Sequence, residues 1–222
     1  MTLSVAAQAG QRAASFSLRR LRAGAAVRIA FGVVWAIDAV FKWLPGFIHG
    51  QTLSDELGAA SDVRTPVVHQ WILLWHAIGT SHPQAFAVSV AVVESLIAIC
   101  LLLGAFSNAV FIGSALYSLG IWSAAEAFGL PWNAPGITDL GPSVAYIAAS
   151  LVLFVAAAGA TWSVDGWLRP RLGKLAWLAS PTVAELAGQP AARGAMRSRA
   201  GTSGQTANGG QTASGGQPAP VS

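Results

Sequence analysis

A chain of 222 residues that is 54% hydrophobic and only 10% charged, with a mean hydropathy of +0.55, departs from soluble domains, in which about a quarter of residues carry charge. Thirteen lysines and arginines stand against nine acids. The bases cluster near the two ends, which fits membrane topology rather than a nucleic-acid surface, and no nucleic-acid partner is expected. The single cysteine, Cys100, lies in the apolar run LIAICLLLG; it excludes an internal disulfide or a paired-cysteine redox centre and reads as packing.

Residues 1–22 are polar, alanine-rich and basic, with Arg12, Arg19, Arg20 and Arg22, and predict a mobile cytoplasmic segment with at most a short interfacial helix. The run RIAFGVVWAIDAVFKWLPG (28–46) follows. It holds Arg28, Asp38 and Lys42 and lacks a cleavage site, so it predicts an uncleaved first span over about 24–44 rather than a signal peptide. The long connection 46–83 contains VVHQWILLWHAIG (67–79), too short to cross a bilayer. With Trp71 and Trp75 one turn apart, it predicts a helix lying at the outer interface.

Three further apolar runs are each near the roughly 20 residues that a bilayer core requires. The second covers about 84–105 and is interrupted only by Glu94. The third, about 109–129, carries Glu126 near its end, and the fourth, about 141–160, has no charge. Gly, Ala and Ser in the last two suit close helix packing. Beyond them, WSVDGWLRPRLGKLAWLAS (162–180) combines tryptophans with bases, and 169–186 reads as a basic juxtamembrane segment. From 187 the chain is rich in Gly, Ala, Ser and Gln, with the tandem GQTANG and GQTASG (204–215). Such a composition cannot bury a core and predicts disorder. The expected fold is therefore all-α: a transmembrane four-helix bundle over 23–168, an outer interfacial helix and a disordered C-terminal tail.

The distribution of bases orients this bundle. Arginines precede the first span, and Arg169, Arg171 and Lys174 follow the fourth, whereas 46–83 carries only Arg64 against Asp55, Glu56 and Asp62. The connection 130–140 carries only Asp139. Both termini are thus expected in the cytoplasm, with the two longer connections outside.

Charges within spans cost about 2.5–3.5 kcal/mol each at the membrane centre and normally face a bundle interior or a watery cavity. Asp38 lies about 15 Å beyond Arg28 along the first helix, and Lys42 follows one turn later on the same face. Glu94 falls at a similar depth on the second span. Two readings stand for Asp38, Lys42 and Glu94: an internal ion pair that lets the first span insert, or a buried acid–base cluster that binds a polar head group or passes protons. Glu126 reads as an interfacial charge and Asp139 as a cap of the fourth helix. His49, His69, His76 and His82 all lie in the outer connection, outside the spans, and their spacing predicts no metal site. No phosphate loop, nucleophile elbow or H-E-x-x-H motif is present.

Three stretches carry a family likeness: RIAFGVVWAIDAVFKWLPG (28–46), ESLIAICLLLGAFSNAV (94–110) and GITDLGPSVAYIAASLVLFVAAAGATWSVDGWL (136–168). The last is the most specific, with Gly-x-Thr-Asp-x-Gly-Pro before the final span and a W-S-x-D-x-W ending. Together they resemble the DoxX/DoxD family of small four-helix bacterial membrane proteins. The resemblance implies a multi-pass protein of the bacterial inner membrane and a subunit of a thiosulfate:quinone-type oxidoreductase. A quinone is the implied cofactor, with none bound covalently. Membrane lipids and a second membrane or redox subunit, or another copy of the chain, are the implied partners. On the matched positions, Asp38 or Glu94 would accept a proton and Lys42 would orient a carbonyl oxygen; Thr138, Asp139 and Gly141 are weaker cofactor-binding candidates. A non-catalytic scaffold or assembly factor for a redox complex is the alternative.

Overall fold

The computed structural model describes residues 2–60, 63, 65–129 and 140–187, with backbone alone for 2–17, 59 and 60. Among the described residues the chain is helical throughout, without strands. It divides into two units, Met1–Thr182 and Val183–Ser222. The described part of the second unit contains one short helix, Val183–Leu186.

The first unit is built on α1 (Thr2–Lys42), α2 (Pro45–Ile48), α3 (Gln51–Ala60), α4 (Pro66–Ser81), α5 (Pro83–Leu103), α6 (Ser107–Ala124), α7 (Ser143–Val155) and α8 (Asp165–Leu168). Prolines open α2, α4 and α5, where the missing N–H would have no helical partner and the fixed φ already suits a helix. Gly104 ends α5 in the left-handed conformation, its N–H returning to the Cys100 carbonyl.

Alternating steps of three and four residues decide how α1 and α5 meet. Ala25, Arg28, Gly32, Trp35 and Ala39 form the buried stripe of α1, and Ala87, Ala91, Glu94, Ala98 and Leu101 that of α5. A seam with this period lets two helices pack side by side. At Gly32 a Cβ would lie 3.1 Å from Leu101 and Leu102, so the bare backbone permits the close approach. The α6 stripe is small and polar, with Ser107, Ser114, Ala115 and Ser118 around Phe111. It packs on α7, where the Ser114 and Ser150 hydroxyls bond at 2.8 Å. Contacts of α5 with α6 and of α7 with α1 close the ring, and α3 and α4 pack on each other and on α5.

Large apolar side chains point the other way. Val33, Val34, Ile37 and Val40 on α1, Leu96 and Ile99 on α5, Leu116 and Leu119 on α6, and Val152 and Val155 on α7 are all exposed. Two helices, Leu18–Lys42 and Pro83–Leu103, are long and apolar enough to cross a membrane.

Several boundaries differ from those expected from sequence. Helix α1 runs unbroken from Thr2, because the alanine-rich N-terminal segment has no proline before Pro45. The helix expected at 67–79 is present as α4, which starts at a proline and runs over Pro66–Ser81. The third run ends as helix at Ala124 and turns through Ala127–Gly129, with Ala127, Phe128 and Gly129 at positive φ. The fourth spans only Ser143–Val155, about 20 Å of helix. It stops because Ala157 turns to positive φ. The segment 162–180 is folded into α8 and two short 3-10 turns, with Trp162, Trp167 and Trp177 exposed. The tail expected from 187 lies outside the described residues but for its first position.

Candidate functional site

Two cavities, each of about 350 Å³, share a wall made by Lys42, Glu94 and Ile121. The first is apolar, lined by Phe47, Leu53, Leu57, Trp75, Phe86, Val90 and Leu116, with Lys42, Glu56, Glu94 and Tyr117 as its polar groups. The second is polar, lined by Asp38, Lys42, Glu94, Ser118, Glu126, Ser143 and Tyr146 beside Trp35 and Phe41. The three charged residues expected to act together, Asp38, Lys42 and Glu94, therefore do surround one space. The connection between the first two long spans supplies part of the apolar cavity through α2, α3 and α4.

Glu94 stands at the centre, with only 2% of its surface exposed. Its Oε1 accepts a hydrogen bond from the Tyr117 hydroxyl at 3.1 Å, while Oε2 is buried without a partner. Asp38 accepts from the Tyr146 hydroxyl at 2.5 Å. The chain has two tyrosines, and both donate to these carboxylates. Trp35 fixes the pair: its ring meets Tyr146 edge-on at 5.2 Å and Tyr117 at 6.0 Å. Phe31 adds a contact to Tyr146 at 5.6 Å. Such ring pairs contribute about 0.5–1.5 kcal/mol each and restrict where the hydroxyls can reach.

Lys42 ends α1, and its ammonium lies over the Phe47 ring, 4.3 Å from the centroid. This cation–π contact turns the side chain toward the apolar cavity, away from the one-turn pairing with Asp38 that spacing suggests. Its charge nevertheless acts on Glu94, as do those of Asp38 and Glu56. The result is an ammonium, a half-satisfied buried carboxyl and a tyrosine hydroxyl at the polar end of an apolar chamber. That combination can hold a molecule with an apolar body and oxygen-bearing head, donate a hydrogen bond to it and exchange a proton with it.

Glu126 belongs to the site rather than to the surface alone. Its Oε1 accepts from the Ser143 hydroxyl at 2.6 Å, and its Oε2 is buried without a partner. Gly141, at φ +83°, lies against it: a Cβ there would collide with the Glu126 carboxylate. Of the weaker candidates, Gly141 thus serves the approach of Glu126, and Thr138 and Asp139 lie outside the described residues. The Trp122 indole donates to the Leu140 carbonyl at 2.8 Å, holding the start of the α7 approach against the end of α6.

Sequence reasoning did not identify a second buried charge centre, about 15 Å along α1. The Arg28 guanidinium is fully buried and donates to the carbonyls of Ala158, Thr161 and Trp162 at 3.2, 3.4 and 2.6 Å. Asp165, also fully buried, accepts from the backbone N–H groups of Ser107 and Ser180 at 3.0 and 2.9 Å. It thereby satisfies an open donor at the start of α6, and its charge acts on Arg28. Asp165 is the acid of the W-S-x-D-x-W ending, so the most specific part of the family likeness maps onto a fold-closing contact. Among the described residues, no group of three or more His, Cys, Asp and Glu side chains is arranged to hold a metal ion. His69 and His76 lie on α4, and His49 and His82 stand at helix ends. Comparison of the chain with protein-family models, with curated proteins and with solved structures finds no match.

Proposed function

We propose that this chain is a multi-pass membrane protein of DoxX/DoxD type that binds a quinone head group between α1, α5 and α6 and serves as the quinone-side subunit of a redox complex. The observation that carries the proposal is Glu94: a buried carboxyl with one oxygen unpartnered, on the wall between an apolar and a polar cavity. The membrane reading rests on the inversion described above, with serines, alanines and charges inside and branched apolar side chains outside. Only 28% and 33% of the two helix windows long and apolar enough to cross a membrane are buried, whereas a central helix of a soluble protein is mostly buried. In this reading α1, α5, α6 and α7 are the four spans, α4 lies at the outer interface, and both termini face the cytoplasm of a bacterial cell.

The residues present fit a quinone. The apolar chamber suits its ring and the start of its tail, the Lys42 ammonium can donate to one carbonyl oxygen, and the free Glu94 oxygen can take or return the proton of a hydroxyl. A bound quinone supplies two-electron, two-proton carrier chemistry. The chain's own contribution is to exclude lipid tails from the head group, to orient it between Lys42 and Tyr117, and to hold the exchangeable proton at Glu94. Thiosulfate is a dianion, and three carboxyl groups against one ammonium disfavour it in the polar cavity. Oxidation of the sulfur compound is accordingly assigned to a partner subunit.

A photoactivatable short-chain azidoquinone, added to the protein in lipid vesicles, tests the site. Labelling is expected on the α3, α5 and α6 peptides that carry Leu53, Val90 and Leu116, and excess unmodified quinone should suppress it. Labelling spread over the lipid-facing side of α7, or unaffected by competition, would refute the site. The scaffold reading draws on a different observation: Tyr146–Asp38 ties α7 to α1, and Tyr117–Glu94 ties α6 to α5. If those bonds serve only assembly, Glu94→Gln lowers the yield of an assembled complex and leaves quinone labelling unchanged.

A further inference from the structure

The polar cavity has features that a head-group site does not use. Ser118 is 1% exposed, and its hydroxyl has no partner. It lines the same space as Glu94 and Glu126, each of which has an unpartnered buried Oε2. A buried polar group left unsatisfied destabilises the fold, and three of them line one chamber. A water molecule takes about 30 Å³ of liquid volume and needs two to four polar partners to stay buried. The chamber of about 350 Å³ has room for several, with Ser118, Glu94 and Glu126 as their partners.

Separate hydrogen-bonded pairs line this wall. Pro142, at the α6–α7 connection, is exposed and lines the chamber. Ser143 and Glu126 come next, bonded to each other, and one turn further along α7 Tyr146 bonds Asp38. Glu94 is the most buried charged residue of the lining, bonded to Tyr117 from its other oxygen.

We infer that the polar cavity is a water-filled inlet through which Glu94 exchanges protons with the solution beside Pro142, apart from the apolar cavity. The inlet deepens the quinone reading by giving the proton held at Glu94 a route that does not cross the ligand. It does not depend on that reading for its existence. The step breaks and forms only O–H bonds. A proton leaves the Glu94 carboxyl for a cavity water and passes by the Tyr146–Asp38 and Ser143–Glu126 pairs to bulk water; the reverse order reloads it. No electron moves.

Two labelling measurements on the full chain in lipid vesicles test this. In a Cys100→Ala background, Ser118→Cys is compared with Val152→Cys, a position exposed on the outside of α7. A charged, membrane-impermeant methanethiosulfonate, followed by intact mass, reports whether each thiol meets water. The inlet predicts at least ten-fold faster labelling of Ser118→Cys. Equal rates, with both proteins monodisperse and fully labelled after denaturation, would overturn it. Second, a water-soluble carbodiimide with glycine ethyl ester should modify Glu94 in the otherwise unaltered protein, identified by peptide mass. Modification only by the hydrophobic dicyclohexyl reagent would equally overturn the inlet. Azidoquinone labelling of the same proteins separates the two ideas. A hydrated inlet without quinone labelling sinks the quinone reading alone, and quinone labelling with a dry Ser118→Cys sinks the inlet alone.

Discussion

The two ends of the stretch 28–42 of α1 bury charge in opposite ways. At Arg28, the guanidinium closes on three carbonyls, and Asp165 takes two backbone N–H groups; Arg28 Nε and Asp165 Oδ1 are unpartnered too, but neither residue lines either cavity. At Asp38, Lys42 and Glu94, the charges meet side chains rather than backbone, and the open oxygen of Glu94 faces space. Backbone groups cannot leave their places, so the first arrangement locks the fold. Side-chain partners and cavities can accept a ligand or a proton, so the second can act. Burial of charge alone therefore does not mark a functional site; what surrounds the charge does.

Breaking the locked end should produce the largest effect. Arg28→Met leaves the carbonyls of Ala158, Thr161 and Trp162 without their donor, and a buried polar group left unsatisfied costs about 1–3 kcal/mol. Thermal unfolding in detergent should show a loss of that order, with quinone affinity of the surviving folded protein unchanged. A smaller loss is expected for Gly104→Ala. Residue 104 sits at φ +64°, and an added Cβ would meet the Arg28 guanidinium, so about 1–3 kcal/mol should go, again with the site intact.

The acting end should respond in the reverse sense. Lys42→Met and Glu94→Gln are each expected to weaken quinone binding at least ten-fold, about 1.4 kcal/mol or more, while the unfolding temperature stays near that of the unaltered protein. Tyr146→Phe removes one bond to the Asp38 carboxylate. It should cost about 0.5–3 kcal/mol of stability, together with a measurable loss of quinone affinity. The smallest effect belongs to Ser114→Ala, which removes the α6–α7 hydroxyl pair, whose two serines line neither cavity. About 0.5–1.5 kcal/mol is expected, with binding unchanged.

Much of this contrast was legible in the sequence, though unevenly. Charges inside apolar runs are conspicuous, so Asp38, Lys42 and Glu94 could be selected and placed at similar depth by helical rise alone. Arg28 was equally visible, but its role could not be read, because its partners are carbonyls 130 or more residues away, and carbonyls carry no sequence signal. The tyrosines were missed although a signal existed. Tyrosine in membrane helices concentrates at the interfaces, and Tyr117 and Tyr146 fall inside apolar runs, where their hydroxyls need partners. Glu126 was assigned to the interface from its position near the end of a run. Its place in the polar cavity depends on the turn at 127–129, set by positive-φ residues that include Ala127 and Phe128, which composition does not foretell. The early end of α7 was hidden for a similar reason, since Ala156 and Ala157 are good helix formers and only the Arg28 contacts show why the chain turns there.

The central claim, that the half-satisfied Glu94 wall binds a quinone head group, can be tested most directly through Trp75, which lines the apolar cavity. A short-chain quinone titrated into the protein in lipid vesicles should quench its emission, read as the difference between the unaltered protein and Trp75→Phe. Saturable quenching that shifts to at least ten-fold higher quinone concentration in Glu94→Gln, but not in Ser114→Ala, is the predicted result. Quenching that is linear in quinone, or identical in Glu94→Gln, would contradict it.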